Sequence, residues 1–248
     1  MKGLLWMSLL VGLHVWAGPT EEILKTYPME DGKQLTVRNI NGKIEVNTWD
    51  KQEVELRAIK RYDSWLWGSK KDRLKNVKIE VRQENGNIHI ETQLPKKSSW
   101  WGSYSVSYEL HIPRRTTVGL KTTNGKIQVT DVKGKVDAVT TNGQIYLNDV
   151  HGAVDARTTN GKIIASVLDP MAEEIRLRTT NGGIRLDIPE DMKADLRARC
   201  TNGRVNVNLE GDLNGDFDRK RVRAKLNGGG TEVSLNTTNG SINIGKAG

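Results

Sequence analysis

The chain has 248 residues, with 38 Lys and Arg against 30 Asp and Glu for a net charge of +8, and one cysteine, Cys200. A lone cysteine excludes an intramolecular disulfide framework, so stability must come from a packed core and its backbone ladder. No Cys/His cluster has metal-ligand spacing, and no metal site or cofactor is expected.

Met1-Lys2-Gly3 followed by an apolar stretch from Leu4 to Val15 reads as a secretory signal peptide. Val15 and Ala17 are the small residues at −3 and −1, which predicts cleavage after Ala17 and a net charge of +7 for the remainder. The stretch is too short for a transmembrane helix, nothing later is apolar enough to span, and no cysteine follows it for lipid attachment. The expectation is an exported, soluble protein of the periplasm or cell surface, with one domain over residues 18–248.

To about residue 105 the pattern is irregular. Strands are predicted near Lys33–Val37, Lys43–Asn47, Val54–Lys60 and Val77–Arg82, with Asn-Gly-x-Ile turns at 41–44 and 85–88. This part is expected to begin and cap the stack described below. Two similar segments rich in Ser, Gly and Trp occupy 62–68 and 99–104, and each reads as a loop or strand end. They either pack together as a cap or present aromatic faces that stack on sugars or dock a partner. On the second reading Trp65, Trp67, Trp100, Trp101 and Tyr104 are the candidate ligand-binding residues.

From about 106 to 248 a repeat takes over. Thr-Thr-Asn-Gly occurs at 122–125, 140–143, 158–161, 179–182 and 237–240, with Cys200-Thr201-Asn202-Gly203 differing in one residue. Successive glycines lie 18, 18, 21, 21 and then 37 residues apart, the last being about two periods. Two residues after each glycine comes Ile127, Ile145, Ile163, Ile184, Val205 or Ile242; six before each Asn comes Val118, Val136, Val154, Ile175, Leu196 or Val233. Spacing of two marks one face of a strand, and the polar residues between mark the other. A second turn, Lys133-Gly134 and His151-Gly152, splits each coil into two strands. Asn and Gly tolerate positive φ, which would account for their place at the reversals. Like residues recurring in every copy predict an all-β, parallel β-solenoid with coils of about 18–21 residues; an antiparallel β-sandwich is the alternative. Residues 210–221 read as a charged excursion.

Candidate chemistry is sparse. His89, His111 and His151 lie in different parts of the repeat without a Ser or Cys partner. Asp131 with Asp149, and Asp137 with Asp155, would stack one coil apart at about the separation of a retaining glycosidase pair. Such pairs arise in any repeat with an outward Asp, and no catalytic residue is assigned. Cys200 fits a small buried position; a disulfide-linked dimer is the other reading. The basic excess gathers in an outward column of Lys121, Arg157, Arg178 and Arg199, with Arg176 and Arg197 two residues earlier, and in a cluster of Arg219, Lys220, Arg221, Arg223 and Lys225 near the C-terminal end. It is either a solubilising surface or a strip that attracts an anionic polymer, which for an exported protein means an envelope glycan or polymer sooner than nucleic acid.

The Thr-Asn-Gly columns, the opening Leu35-Thr36-Val37…Asn41-Gly42-Lys43-Ile44-Glu45-Val46-Asn47-Thr48-Trp49-Asp50 and the step Leu110-His111-Ile112-Pro113 together resemble the bacterial putative-adhesin domain family, from about Gln34 to Ile244. That resemblance implies a repetitive β-solenoid, a secreted or cell-envelope location and adhesion, with no catalytic residue to carry over. The expected function is non-enzymatic binding of a glycan, anionic envelope polymer or protein. The alternatives are a polysaccharide-acting β-helix enzyme, and a structural scaffold that self-associates through an open C-terminal edge at Ser241–Ile244.

Overall fold

Alternation along the chain converts directly into strands with one buried face. Val136-Asp137-Ala138-Val139-Thr140 shows it: Val136, Ala138 and Thr140 are buried while Asp137 points out. A computed structural model describes residues 20–64, 74–95 and 102–247. Its N-terminal strands are β1 (Thr20–Pro28), β2 (Gln34–Arg38), β3 (Ile44–Trp49), β4 (Glu53–Ser64), β5 (Lys78–Glu84), β6 (Asn87–Gln93) and β7 (Gly102–Pro113). The repeat supplies β8 (Thr117–Lys121), β9 (Ile127–Thr130), β10 (Val136–Asn142), β11 (Ile145–Val150), β12 (Val154–Asn160), β13 (Ile163–Val167), β14 (Glu174–Asn181) and β15 (Ile184–Ile188). The C-terminal strands are β16 (Ala194–Asn202), β17 (Val205–Asn208), β18 (Leu213–Asp218), β19 (Arg221–Leu226), β20 (Thr231–Asn239) and β21 (Ile242–Lys246).

The strands form two open, mostly parallel sheets. One runs β1-β4-β7-β3-β9-β11-β13-β15-β21-β17 and the other β18-β19-β16-β20-β14-β12-β10-β8-β2-β6-β5. A β-solenoid-like stack results, each rung contributing one strand to each sheet. The core lies between them, built from Val118, Val136, Val154, Ile175 and Val233 on one side and Ile127, Ile145, Ile163, Ile184 and Ile242 on the other. Like sits on like: Val136 registers with Val154, which registers with Ile175, and Ile145 with Ile163.

The Asn column is a continuous side-chain ladder. Each Nδ2 donates to the Oδ1 of the rung before, from Asn124 on Asn41 through Asn142, Asn160, Asn181 and Asn239 to Asn202, at 2.7–2.8 Å. Beside it, the Oγ1 of Thr140, Thr158, Thr179 and Thr237 donates to the glycine carbonyl of the preceding rung at 2.8–3.1 Å. Cys200 occupies this column at the last rung and is buried.

Four expectations are corrected. The 37-residue gap does not add rungs in sequence order: β20–β21 lies between β14–β15 and β16–β17, so Asn239 bridges Asn181 and Asn202. Ser241–Ile244 is therefore no open edge, because β21 pairs with β15 on one side and β17 on the other. The excursion at 210–221 and the cluster after it form the antiparallel β18–β19 hairpin, which continues the second sheet beyond β16. The two early Asn-Gly turns differ: Asn41-Gly42 joins the ladder, whereas Asn85-Gly86, with φ of 52° and 79°, makes a tight antiparallel hairpin between β5 and β6.

Positive φ accounts for only some of the repeat glycines, Gly203 and Gly240 at 153° and 154° among them. Gly125, Gly143, Gly161 and Gly182 lie outside the left-handed range. What excludes a side chain is crowding: an added Cβ at Gly143 would sit 1.9 Å from the Gly125 carbonyl oxygen, and at Gly182 2.0 Å from that of Gly161. Asp131 and Asp149 also take left-handed positions, with φ of 58° and 56°, where Asp is among the better tolerated residues.

Candidate functional site

Each outward basic residue has its position set by register. Reading across the second sheet, one outward row runs Lys121, Val139, Arg157, Arg178, Asn236, Arg199, Arg221, Asp218. The row beside it runs Gly119, Asp137, Asp155, Arg176, Ser234, Arg197, Arg223, Asp216. The continuous strip expected from sequence is thus broken in two places. Val139 separates Lys121 from Arg157, and the inserted strand β20 puts Ser234 and Asn236 between Arg176/Arg178 and Arg197/Arg199. Part of the strip is also neutralised. Arg157 donates twice to Asp155, at 2.9 and 2.5 Å, which raises its pKa, and Arg176 pairs with Glu174.

What the fold does bring together is a square of four arginines. Arg197 on β16 faces Arg223 on β19, and Arg199 faces Arg221, all four exposed on alternate positions of an antiparallel pair whose Ala198, Val222 and Ala224 are buried. Directly opposed side chains have Cβ atoms about 4.5–5.5 Å apart, and like charges there are destabilising. Arg197 shares Glu232 at 3.3 Å. Arg199, Arg221 and Arg223 make no ion pair among the described residues, although register sets Asp218 opposite Arg221 and Asp216 opposite Arg223. Two shallow depressions border the square. One of about 750 Å³ is lined by Arg199, Lys220, Arg221 and Arg223 together with Asp216 and Asp218, and one of about 520 Å³ by Arg197, Arg223 and Lys225 together with Asp195 and Asp212.

Charge at the far end of the molecule is handled differently. On the first sheet Glu109 accepts from Lys43 at 2.9 Å and Arg57 at 2.7 Å, Arg57 also holds Glu22 at 2.7 Å, and the largely buried Lys60 holds Glu21 at 3.0 Å. The hydrogen bonds from Lys43 and then Arg57 keep the Glu109 carboxyl below the usual carboxylate range. Cations there are matched; in the arginine square, among the described residues, only Arg197 is.

Of the aromatic candidates, Trp65, Trp67, Trp100 and Trp101 lie outside the described residues. Tyr104 is described and is corrected: it is only 7 % exposed and packs on Tyr62, its register partner, with ring centroids 4.7 Å apart. It falls on the inward face of β7 with Val106, Tyr108, Leu110 and Ile112, so alternation buries it. Of the stacked carboxylates, Asp137 registers with Asp155, and Asp131 is held by Arg114 and by Thr48 Oγ1 at 3.2 Å. Among the described residues no group of three or more His, Cys, Asp or Glu could hold a metal ion.

An open, two-sheeted stack of mostly parallel rungs defines the class of protein. The chain belongs to the Toastrack DUF4097 family, whose profile matches residues 12–245. In fold it is similar to a putative cell adhesion protein from Clostridium sporogenes, at 14% identity and a TM-score of 0.52 over 92% of this chain and 100% of that one. Fainter likenesses are to a putative adhesin from Bacteroides fragilis (11% identity, TM-score 0.32, 90% and 97% covered) and a putative lipid binding protein from Parabacteroides distasonis (11%, 0.26, 90% and 96%). No functionally curated protein matches the chain.

Proposed function

We propose that this is an exported, adhesin-like protein that binds an anionic envelope polymer, without catalysis, through Arg197, Arg199, Arg221 and Arg223. One observation carries the reading. Four arginines are opposed in register on neighbouring strands, and three of them lack an ion-pair partner among the described residues. A surface kept soluble by charge has no need to oppose like charges, whereas a repeating phosphate or carboxylate would satisfy them with charge-assisted, bidentate hydrogen bonds. The shallow, open depressions suit a chain lying along the sheet better than an enclosed small molecule. Export rests on the Met1–Ala17 leader pattern, with release after Ala17. No helix among the described residues is long and apolar enough to cross a membrane.

The test is retention of the purified protein on immobilised teichoic acid, lipopolysaccharide and a neutral glucan as salt is raised. Wild type should bind the anionic polymers and elute as ions screen the contacts. An Arg199→Gln, Arg221→Gln, Arg223→Gln variant should bind at least about a hundredfold more weakly, since each lost charge-assisted bond is worth roughly 1.5–3 kcal/mol. Binding undiminished in the triple variant would sink the proposal. Equal retention on the neutral glucan would point to aromatic stacking instead.

A further inference from the structure

The inserted rung β20–β21 goes beyond this reading. Every neighbouring rung presents the same columns, so the slot it fills is chemically like the faces on either side. Without it, β16–β17 could dock directly on β14–β15: Ile175 would meet Leu196, Leu177 would meet Ala198, Thr179 would meet Cys200 and Asn181 would meet Asn202. The rung is therefore an insert between two surfaces that already fit one another. Within the described residues one connection joins it to the preceding strands, Asn227-Gly228-Gly229-Gly230, whose first three residues have φ of 51°, 89° and 87°. Local pins hold it: Asn227 Nδ2 donates to the carbonyls of Glu190 and Met192 at 2.8 and 2.9 Å, Thr231 Oγ1 to that of Ala172 at 2.6 Å, and Lys246 pairs with Glu190 at 2.6 Å.

We propose that this C-terminal rung is exchangeable between copies, with β20–β21 of one molecule filling the slot of a second and the second returning its own. The second copy offers the same Asn181 and Asn202 amides, the same Gly182 carbonyl and the same apolar columns, so each contact of the closed molecule is reproduced between two. Exchange would also join two arginine squares in one particle.

Geometry supplies the test. Leu226 and Thr231 both register with Ala194, on opposite sides of β16. Adjacent strands lie about 4.8 Å apart, so the connection must span about 9.6 Å across the end of that strand. With Gly228–Gly230 deleted, Leu226, Asn227 and Thr231 reach at most about 7.6 Å, since consecutive Cα atoms are about 3.8 Å apart. The shortened chain cannot keep both Leu226 and Thr231 paired with Ala194, whereas donating its rung to a neighbour keeps every pair. Its sedimentation should show dimers or larger even-numbered species where wild type, diluted, is monomeric.

A second variant reads the exchange without shortening. Thr237 registers with the native Cys200, so Thr237→Cys places two buried thiols on facing strands within disulfide range. After incubation at high concentration in mild denaturant and return to buffer, oxidation should yield a covalent dimer on a non-reducing gel, its fraction rising with concentration. A shortened chain that remains a folded monomer overturns the proposal. So does one that fails to fold while Thr237→Cys gives only internal disulfides at every concentration.

Discussion

At Gly143 an added methyl group would meet backbone, not a yielding side chain: the Gly125 oxygen lies 1.9 Å from the Cβ position and its carbon 2.6 Å. Gly143→Ala must therefore push the Gly125 and Gly143 rungs apart and break the Thr140 hydrogen bond to the Gly125 carbonyl, at a cost of about 2–4 kcal/mol. Gly228 is the control. A Cβ there meets nothing within 4 Å, but φ is +89°, so Gly228→Ala should cost only the backbone strain of about 1–2 kcal/mol. Urea midpoints of the two variants read the difference directly. A second residue-scale effect follows from Tyr108, fully buried with its hydroxyl 2.6 Å from Thr92 Oγ1, which in turn donates to Asn39 Oδ1 at 2.9 Å. Burial pushes its pKa up to about 12. The unfolded phenol ionises near 10, so between pH 10 and 12 the folded state holds a proton that the unfolded state has lost. Stability from this group is complete below pH 10 and declines as pH rises to 12. Tyr108→Phe should lose about 1 kcal/mol at neutral pH, with the lost hydrogen bond, and flatten that alkaline decline in denaturation curves.

Individual strands were legible in the sequence where alternation and turn chemistry agreed. Val136, Ala138 and Thr140 before an Asn-Gly, with Ile145 after it, admit one strand–turn–strand arrangement, and the structure has it. The same rule extended back along β7 from Ile112 through Leu110, Tyr108 and Val106 reaches Tyr104, and would have placed that ring in the core. Likewise Arg221-Val222-Arg223-Ala224-Lys225-Leu226 alternates without a break and signals β19, though its charge density makes it read as a solvated excursion. The arginine square needed more than either strand. Arg199 and Arg221 lie about one period apart, but Arg221 belongs to no Asn-Gly copy, and only the antiparallel return of β19 against β16 opposes them. The position of β20–β21 was illegible for a different reason. Because every rung carries the same inward columns, the sequence specifies that a rung stacks and is silent on which rung it stacks against.

The same degeneracy governs how the whole molecule should respond to losing a rung. Deleting residues 136–153 removes β10 and β11 and joins Lys135 to Val154. Val118 would then face Val154, Ile127 would face Ile163, and Asn160 would donate to Asn124, restoring every column with no cavity. A nearest-neighbour stack loses one rung's intrinsic term and one interface, so the shortened protein should fold in one cooperative urea transition. Its m-value should fall by roughly a tenth, in proportion to the surface lost. Deleting only residues 136–144 is the sterner case. Ile145 would follow Lys135, each later strand would be offered to the opposite sheet, and Asn160 would have no Asn142 below it. The nine-residue deletion removes half as much chain yet should leave no folded protein by circular dichroism. If it folds as well as the eighteen-residue deletion, the two sheets are interchangeable, and register along the Asn ladder does not set the architecture.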